Sequence, residues 1–451
     1  MVPFLHEERG LYTSSAVAIV RPATTTEVAA VVKECAEAGL PIVPQGGNTG
    51  LCGGATGRED KNEIILNLGR MNKVRNIDPV NYNITVDAGC ILADIQQTAA
   101  NHNSLFPLSL AAEGSCQIGG NLATNAGGIN VLRYGNARDL VLGLEVVLPD
   151  GRIWNGLKSL GKDNTGYALR QLFVGAEGTL GIITAAVLKL FPQSTETATA
   201  LCALNDLESA SKLLNLARAM SGDAVSAFEL IPRIGLEICA KHIAGVADPF
   251  TETHAWYVLI ELSTSRPDAA IRPNFDALLE KAFEDNLIAD GVVAESLEQS
   301  KSLWRLRESL PEAQKHEGGS IKHDVSVPVS RVAELITKGS EIIARAYPGA
   351  RPVPFGHMGD GNIHFNISQP VGSDKAAFLS QWTEMNRVIH DLVASMDGSF
   401  SAEHGIGRLK TKEMDLYKDP VELELMRRVK QAIDPKNLMN PGKIMDLEKL
   451  S

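Results

Sequence analysis

Pro44-Gln45-Gly46-Gly47-Asn48-Thr49-Gly50-Leu51-Cys52-Gly53-Gly54-Ala55 follows a short apolar run, Leu40–Val43, that reads as a strand. Five of these twelve residues are glycine. Without a Cβ the backbone can turn sharply and come close to a ligand. Successive N–H groups in such a loop form a nest suited to phosphate or pyrophosphate. The spacing contains neither GxxxxGK(S/T) nor a strand–GxGxxG–helix fingerprint, which sets aside a nucleoside-triphosphate loop and the usual nicotinamide site. Taken alone, such a loop is more often a tight turn that binds nothing.

Two further glycine-dense segments change that balance. Glu113–Gly128 reads Glu-Gly-Ser-Cys-Gln-Ile-Gly-Gly-Asn-Leu-Ala-Thr-Asn-Ala-Gly-Gly, and Gly175–Thr184 reads Gly-Ala-Glu-Gly-Thr-Leu-Gly-Ile-Ile-Thr. Each lies beside strand-like runs, as one extended ligand laid along loops would require. With Leu132–Gly135 (Leu-Arg-Tyr-Gly) and Lys162–Thr184, these segments resemble the FAD-linked D-2-hydroxyacid dehydrogenases of the vanillyl-alcohol oxidase superfamily. The resemblance runs along nearly the whole chain. It implies an α+β protein: a two-subdomain FAD-binding domain over 1–193, an α+β substrate or cap domain with an antiparallel sheet over 194–420, and a helical segment, 421–451, returning to the FAD domain.

The residues read independently in the same direction. Thr24-x-x-Glu27 makes a capping box before Val28, Val31, Val32 and Cys35 at helical spacing, closed by Gly39. Ala16–Val20, Ile64–Leu68, Ile84–Ala88, Val141–Leu148 and Leu180–Phe191 read as strands, with Asp150-Gly151 as a hairpin turn. Beyond residue 193 glycine thins out. The strand-like runs Ala255–Leu262 and Ser320–Val327 alternate there with helical ones: Leu207–Met220, Ala269–Ala282, Leu297–Gln314 and Arg331–Ala346.

Covalent flavin attachment in the superfamily commonly uses a histidine in the first glycine loop. This loop has none, so the resemblance implies non-covalent FAD. Pro44, Gly46, Gly47, Asn48, Thr49 and Gly50 map to the pyrophosphate, with the Asn48 and Thr49 side chains taking part. Ser115, Gly119, Gly120, Thr124, Asn125 and Gly127 map to the isoalloxazine and ribityl path. Glu177, Gly178, Ile182 and Ile183 map to the adenine and ribose end, and Asn440 in the tail joins the cofactor set.

Gly356-His357-Met358-Gly359-Asp360-Gly361-Asn362-Ile363-His364-Phe365-Asn366 carries a hairpin signal in Asp360-Gly361. With those two residues as the turn, His357 faces His364, and Asn366 shares their face. Two histidines alone are usually a hydrogen-bonded surface pair; a metal wants a third ligand, preferably a carboxylate. By resemblance that ligand is Glu403 in Ser401-Ala402-Glu403-His404-Gly405. His357, His364 and Glu403 then bind a divalent metal, usually zinc, and His404 is the catalytic base. The implied reaction is oxidation of a D-2-hydroxy acid to the 2-keto acid, with hydride passing to flavin N5.

Arg307, in Trp304-Arg305-Leu306-Arg307-Glu308, reads on its own as a solvated helix arginine. In the family an arginine there holds the substrate's distal carboxylate, helped by a lysine that maps to Lys322, while Asn366 holds the C1 end. That pair implies a dicarboxylate, 2-hydroxyglutarate or malate. The 2-hydroxyglutarate enzymes carry a hydroxyl residue where this chain has Pro311. Its loss removes a donor worth roughly 1.5–3 kcal/mol, and a proline there kinks or ends the helix. A monocarboxylate such as D-lactate, an FAD-linked alcohol or sugar oxidase on the same scaffold, and a flavin-binding carrier with a decayed site are the competing readings.

The 451 residues suit about two to four domains. A net charge of −11 argues against a nucleic-acid partner, which needs a basic face. Six cysteines without CxxC spacing fit a reducing, cytoplasmic setting and no thiolate metal cluster. No run approaches the ~18 apolar residues of a membrane span, and no signal peptide is visible. No second redox centre is encoded, so the expected partner is an external electron acceptor: electron-transferring flavoprotein, a quinone or a cytochrome. A homodimer is compatible with this reading.

Overall fold

The computed structural model describes residues 2–7, 9–266, 269–445 and 447. The chain divides into two compact units. The first comprises Met1–Gly128, Tyr134–Gln193 and Glu403–Ser451; the second comprises Ile129–Arg133 and Ser194–Ala402.

In the first unit, Ala18–Val20, Ile64–Asn67 and Ile42–Gln45 form a parallel sheet with Ile64–Asn67 in the centre. The helix Thr25–Ala38 packs Val28, Val32 and Cys35 into the core. Its start is close to the expected box. Thr24 Oγ1 accepts the Glu27 N–H at 3.2 Å, but Glu27 Oε2 takes the Ala23 N–H, one residue earlier than the motif requires. A second, antiparallel sheet runs in the order Val74–Asp78, Asn83–Asp87, Ile182–Lys189, Val141–Val147, Ile153–Gly156.

The tail belongs to this unit from Glu403 onward, not from Val421. The Arg408 N–H donates to Cys52 O at 2.8 Å, and the Asn440 N–H to Ile42 O at 2.8 Å. The helix Pro420–Ile433 buries Lys430, whose ammonium donates to Thr179 O, Met439 O and Asp434 Oδ2 at 2.7, 2.9 and 2.5 Å. Each contact satisfies a backbone or charged group that would otherwise be costly to bury.

The second unit is one antiparallel sheet, ordered Ile288–Val293, Glu196–Leu204, Trp256–Thr264, Val225–Pro232, Arg351–His357, Asn362–Ser368, Ser320–Ile321; Asp324–Ser326 also pairs with Asn362–Ser368. Helices Ser209–Ser221, Ile271–Glu284, Val332–Ala346 and Trp382–Ala394 cover one face with a large apolar core. Two sequence elements come out broken. Ser320–Val327 splits into two short strands around Lys322-His323. The long helix ends at Glu308, resumes over Leu310–Ala313 and gives way to a 3-10 turn at Gln314–Glu317. Pro311 accounts for the second break, because it has no N–H to offer the carbonyl four residues back. Among the described residues no helix is long and apolar enough to cross a membrane.

Candidate active site

The strand Ile42–Gln45 delivers the first glycine loop into a cleft of the first unit. Pro44, Gly46, Gly47, Asn48, Thr49 and Gly50 line it on one side. Gly119, Gly120 and Thr124 come from the short helix Ile118–Ala123 and its cap, and Glu177, Gly178, Ile182 and Ile183 from the third glycine segment. The first two loops meet backbone to backbone. A Cβ at Gly47 would stand 2.2 Å from the Ser115 carbonyl oxygen, a distance no side chain tolerates.

Four residues of the expected cofactor set fall outside the lining: Ser115, Asn125, Gly127 and Asn440. The Ser115 backbone carbonyl lies close against Gly47. Asn125 Oδ1 accepts the Arg138 N–H at 2.9 Å. Asn440 Nδ2 donates to Gly54 O and Glu177 O at 2.9 and 2.7 Å, tying the first loop to the third. Asn48 lines the cleft, but its side-chain amide donates to Pro3 O and His6 O at 3.3 and 2.7 Å, so it secures the N-terminal segment.

Gln117, also in the lining, holds a buried Oε1 with no hydrogen-bond partner among the described residues. A buried acceptor of this kind calls for a donor from outside the protein. Backbone N–H groups, that orphan oxygen and the apolar Ile182, Ile183 and Phe173 fit the polar and aromatic parts of a flavin nucleotide.

His404 lines the same cleft. The loop that carries it hangs on Glu177, whose Oε1 accepts the Ile406 N–H at 2.7 Å and whose Oε2 accepts the Gly407 N–H at 2.8 Å. Burial raises the Glu177 pKa, and the two N–H groups work against that rise. Gly407, at φ 52°, sits where a Cβ would meet Cys52 O at 2.0 Å. Glu177 is therefore in the expected place, but its carboxylate serves the chain. Beside His404 in sequence, Glu403 places its Oε1 3.9 Å from His404 Nε2.

In the second unit, Arg351–His357 and Asn362–Ser368 are antiparallel neighbours with Phe355 opposite His364. The expected register put His357 there. The turn takes four residues, Met358–Gly361, and the pairing moves by two. Two is the side-chain period of a strand, so His357, His364 and Asn366 still share one face. The two imidazole rings are 5.6 Å apart between centroids. On the neighbouring short strand Asp324 stands opposite His364, and each offers a ligand atom within 4.8 Å of the other's. In the first unit Glu403 and His404 likewise offer atoms within 4.8 Å of each other. The Ala402 N–H donates to Asp324 O at 3.2 Å, and Glu403 is the next residue in the chain.

Sequence reasoning missed the residue behind His357. Glu229 lies on the fully buried strand Val225–Pro232, opposite His357 in the ladder. Its Oε1 is 2.8 Å from His357 Nδ1, and its Oε2 accepts from Arg307 Nε and Nη2 at 2.9 and 2.7 Å. Burial works to raise the Glu229 pKa, but the His357 and Arg307 charges and hydrogen bonds outweigh it and hold it at about 2. A signal existed: one acid in an otherwise apolar strand, Val-Ser-Ala-Phe-Glu-Leu-Ile-Pro, demands a partner.

Arg307 is not a solvated helix arginine. It is buried, and its guanidinium lies over the Phe355 ring at 4.9 Å. Lys322 is half-buried in the gap between Ser320–Ile321 and Asp324–Ser326. Asn366 is buried, and its Nδ2 donates to Gln314 Oε1 at 2.8 Å. Pro311 is exposed.

Residues 16–156 match the family described as FAD binding domain, and residues 193–444 match FAD linked oxidases, C-terminal domain. D-2-hydroxyglutarate dehydrogenase, mitochondrial, of Bos taurus is 39% identical over 445 residues, covering 98% of this chain and 79% of the relative. D-2-hydroxyglutarate dehydrogenase of Xanthomonas citri pv. viticola is 37% identical over 435 residues, covering 96% and 90%. Among solved structures, p-cresol methylhydroxylase with substrate bound superposes with a TM-score of 0.75 at 18% identity, covering 99% of this chain and 93% of that one. That last likeness speaks to the fold alone, a mixed α+β architecture.

Proposed function

The chain belongs to the FAD-linked D-2-hydroxyacid dehydrogenases, and we propose that its substrate is a D-2-hydroxy dicarboxylate, 2-hydroxyglutarate or malate, oxidised with the help of a divalent metal. One observation carries the reading. His357, His364 and Asn366 project from one face of two adjoining strands, with the Asp324 carboxylate opposite His364.

An alcohol at C2 is far too weak an acid to lose its proton unaided at neutral pH. A divalent cation, zinc in this proposal, supplies the Lewis acidity that lowers such a pKa; His357, His364 and Glu403 would hold it. FAD, held without a covalent bond, supplies the two-electron acceptor. The chain's own tasks are the rest. His404 accepts the hydroxyl proton as a neutral imidazole. Asn366 steadies the C1 carboxylate, and Arg307 and Lys322 hold the second one. The electrons then leave to an external acceptor, of which electron-transferring flavoprotein, a quinone and a cytochrome are the candidates.

Two facts favour a second reading, a monocarboxylate such as D-lactate. Pro311 supplies no hydroxyl, and Arg307 has two of its nitrogens engaged by Glu229. Anaerobic mixing of the zinc-loaded holoprotein with D-2-hydroxyglutarate, D-malate and D-lactate decides between them through the flavin's visible absorbance. Bleaching by a dicarboxylate, abolished by EDTA and restored by zinc, is the expected result. Bleaching by D-lactate alone would favour the second reading, and bleaching that survives EDTA would remove the metal.

A further inference from the structure

We propose that Glu229 is the positioning carboxylate of this site. It fixes the ring of His357 and the fork of Arg307 together, so that metal affinity and recognition of the substrate's second carboxylate depend on one residue. The inference rests on the metal and substrate roles proposed above and assigns the group that joins them.

The sheet makes the arrangement. Glu229 and His357 are directly opposed in an antiparallel pair, so their side chains emerge on one face at neighbouring positions. Phe355, two residues before His357, shares that face and forms the floor under the Arg307 guanidinium. Glu229 is 1% exposed, and both of its oxygens are committed. An ionised carboxylate only accepts hydrogen bonds. The contact at 2.8 Å therefore assigns the proton to His357 Nδ1, and Nε2 becomes the nitrogen whose lone pair can be offered to a cation. On the other side Arg307 is gripped along its Nε–Nη2 edge. Its side chain is thereby turned so that, among the described residues, Nη1 and the remaining Nη2 hydrogen are the donors left for a ligand.

Glutamine is the discriminating replacement. An amide has one accepting and one donating end. With its oxygen kept on Arg307, its N–H faces His357 Nδ1 and forces the opposite tautomer, which puts a proton on Nε2. With its oxygen turned to His357, its NH₂ meets the Arg307 donors. Glu229→Gln therefore cannot serve both partners, although it is isosteric.

The test uses the full-length, FAD-loaded protein. Zn²⁺ affinity is measured by chelator competition, and kcat/KM is measured for D-2-hydroxyglutarate and for D-lactate. For Glu229→Gln the expected result is a loss of roughly ten- to hundredfold in Zn²⁺ affinity. The kcat/KM ratio of the dicarboxylate to the monocarboxylate should fall in the same variant, with flavin content unchanged. If Glu229→Gln does not accumulate with flavin bound, Glu229→Asp carries the same measurements. It keeps the acceptor-only chemistry but is one methylene too short to reach both partners, so both quantities should fall by less. Unchanged zinc affinity and an unchanged ratio, even with a lower Tm, would make Glu229 a buried counter-ion to Arg307 and overturn the inference. A parent protein that binds no Zn²⁺ would instead overturn the metal reading from which the inference starts.

Discussion

In the flavin cleft the approaches that leave no room for a Cβ are between backbones: Gly47 against the Ser115 carbonyl, Gly407 against the Cys52 carbonyl. On the sheet face of the second unit they are between side chains: His357 on Glu229, Glu229 on Arg307, Asn366 on Gln314. The two regions therefore differ in what can damage them. A site made of backbone is sensitive to added volume and indifferent to the chemistry of most neighbouring side chains. A site made of side chains tolerates small volume changes and is sensitive to which atom donates and which accepts.

The largest effect should come from adding one methyl group to the cleft. Gly47→Ala places a Cβ 2.2 Å from a carbonyl oxygen that is itself part of a loop. The loop must shift, and the backbone N–H groups proposed to hold the cofactor's phosphates shift with it. Purified Gly47→Ala should carry little FAD and show no turnover, while its Zn²⁺ affinity stays as in the parent. A variant that retains flavin at parent stoichiometry would show that this contact relaxes cheaply.

Next in size is a change of chemistry without a change of volume. His404→Asn removes a proton acceptor from the cleft lining but leaves the Glu177 bonds to Ile406 and Gly407 in place. Flavin content and spectrum should stay as in the parent, while kcat falls by roughly 10²–10⁴-fold and the pH dependence of kcat flattens. Flavin lost along with activity would mean that His404 helps build the cleft and does not act on substrate.

The same difference in material explains what could be read from the chain. The cleft was legible because glycine clustering is a local signal: three segments pointed to one ligand, and most of their residues do line one cleft. What failed there was the assignment of side chains such as Asn48 and Asn440, whose partners lie elsewhere in the chain. The sheet face was half legible. The register was wrong by two residues, yet the period of a strand forgives an even error, so His357, His364 and Asn366 still came out together. Glu229 was not legible as a partner. It is 128 residues from His357 and 78 from Arg307. Only the order of strands in the sheet makes them neighbours, and no local pattern encodes that order. Asp324 escaped notice for the same reason, and because the run Ser320–Val327 is interrupted just before it.

The smallest expected effect concerns what the side-chain site costs the fold. Asp360, in the turn between the histidine strands, is held at a pKa of about 6, chiefly by burial and also by the nearby Glu229 charge, against the pull of His357 and the Asn362 N–H. Below about pH 4 the carboxyl is protonated in both the folded and unfolded chain and affects stability little. Between about pH 4 and pH 6 the unfolded chain has released the proton and the folded one still holds it, so stability falls as pH rises. Above that window the penalty is constant. The rise from the ordinary carboxylate value to about 6 is worth about 3 kcal/mol at most, and partial exposure of Asp360 to solvent reduces it to about 1–2 kcal/mol. Asp360→Asn keeps an oxygen to accept the Asn362 N–H, a bond of 3.1 Å in the parent, and cannot ionise. In EDTA-treated protein its Tm should match the parent's near pH 4 and exceed it at pH 7.5 and above. A gap that is the same at both ends would assign the gain to turn geometry. A gap that opens with pH would show that this turn keeps a destabilising carboxylate beside the histidines.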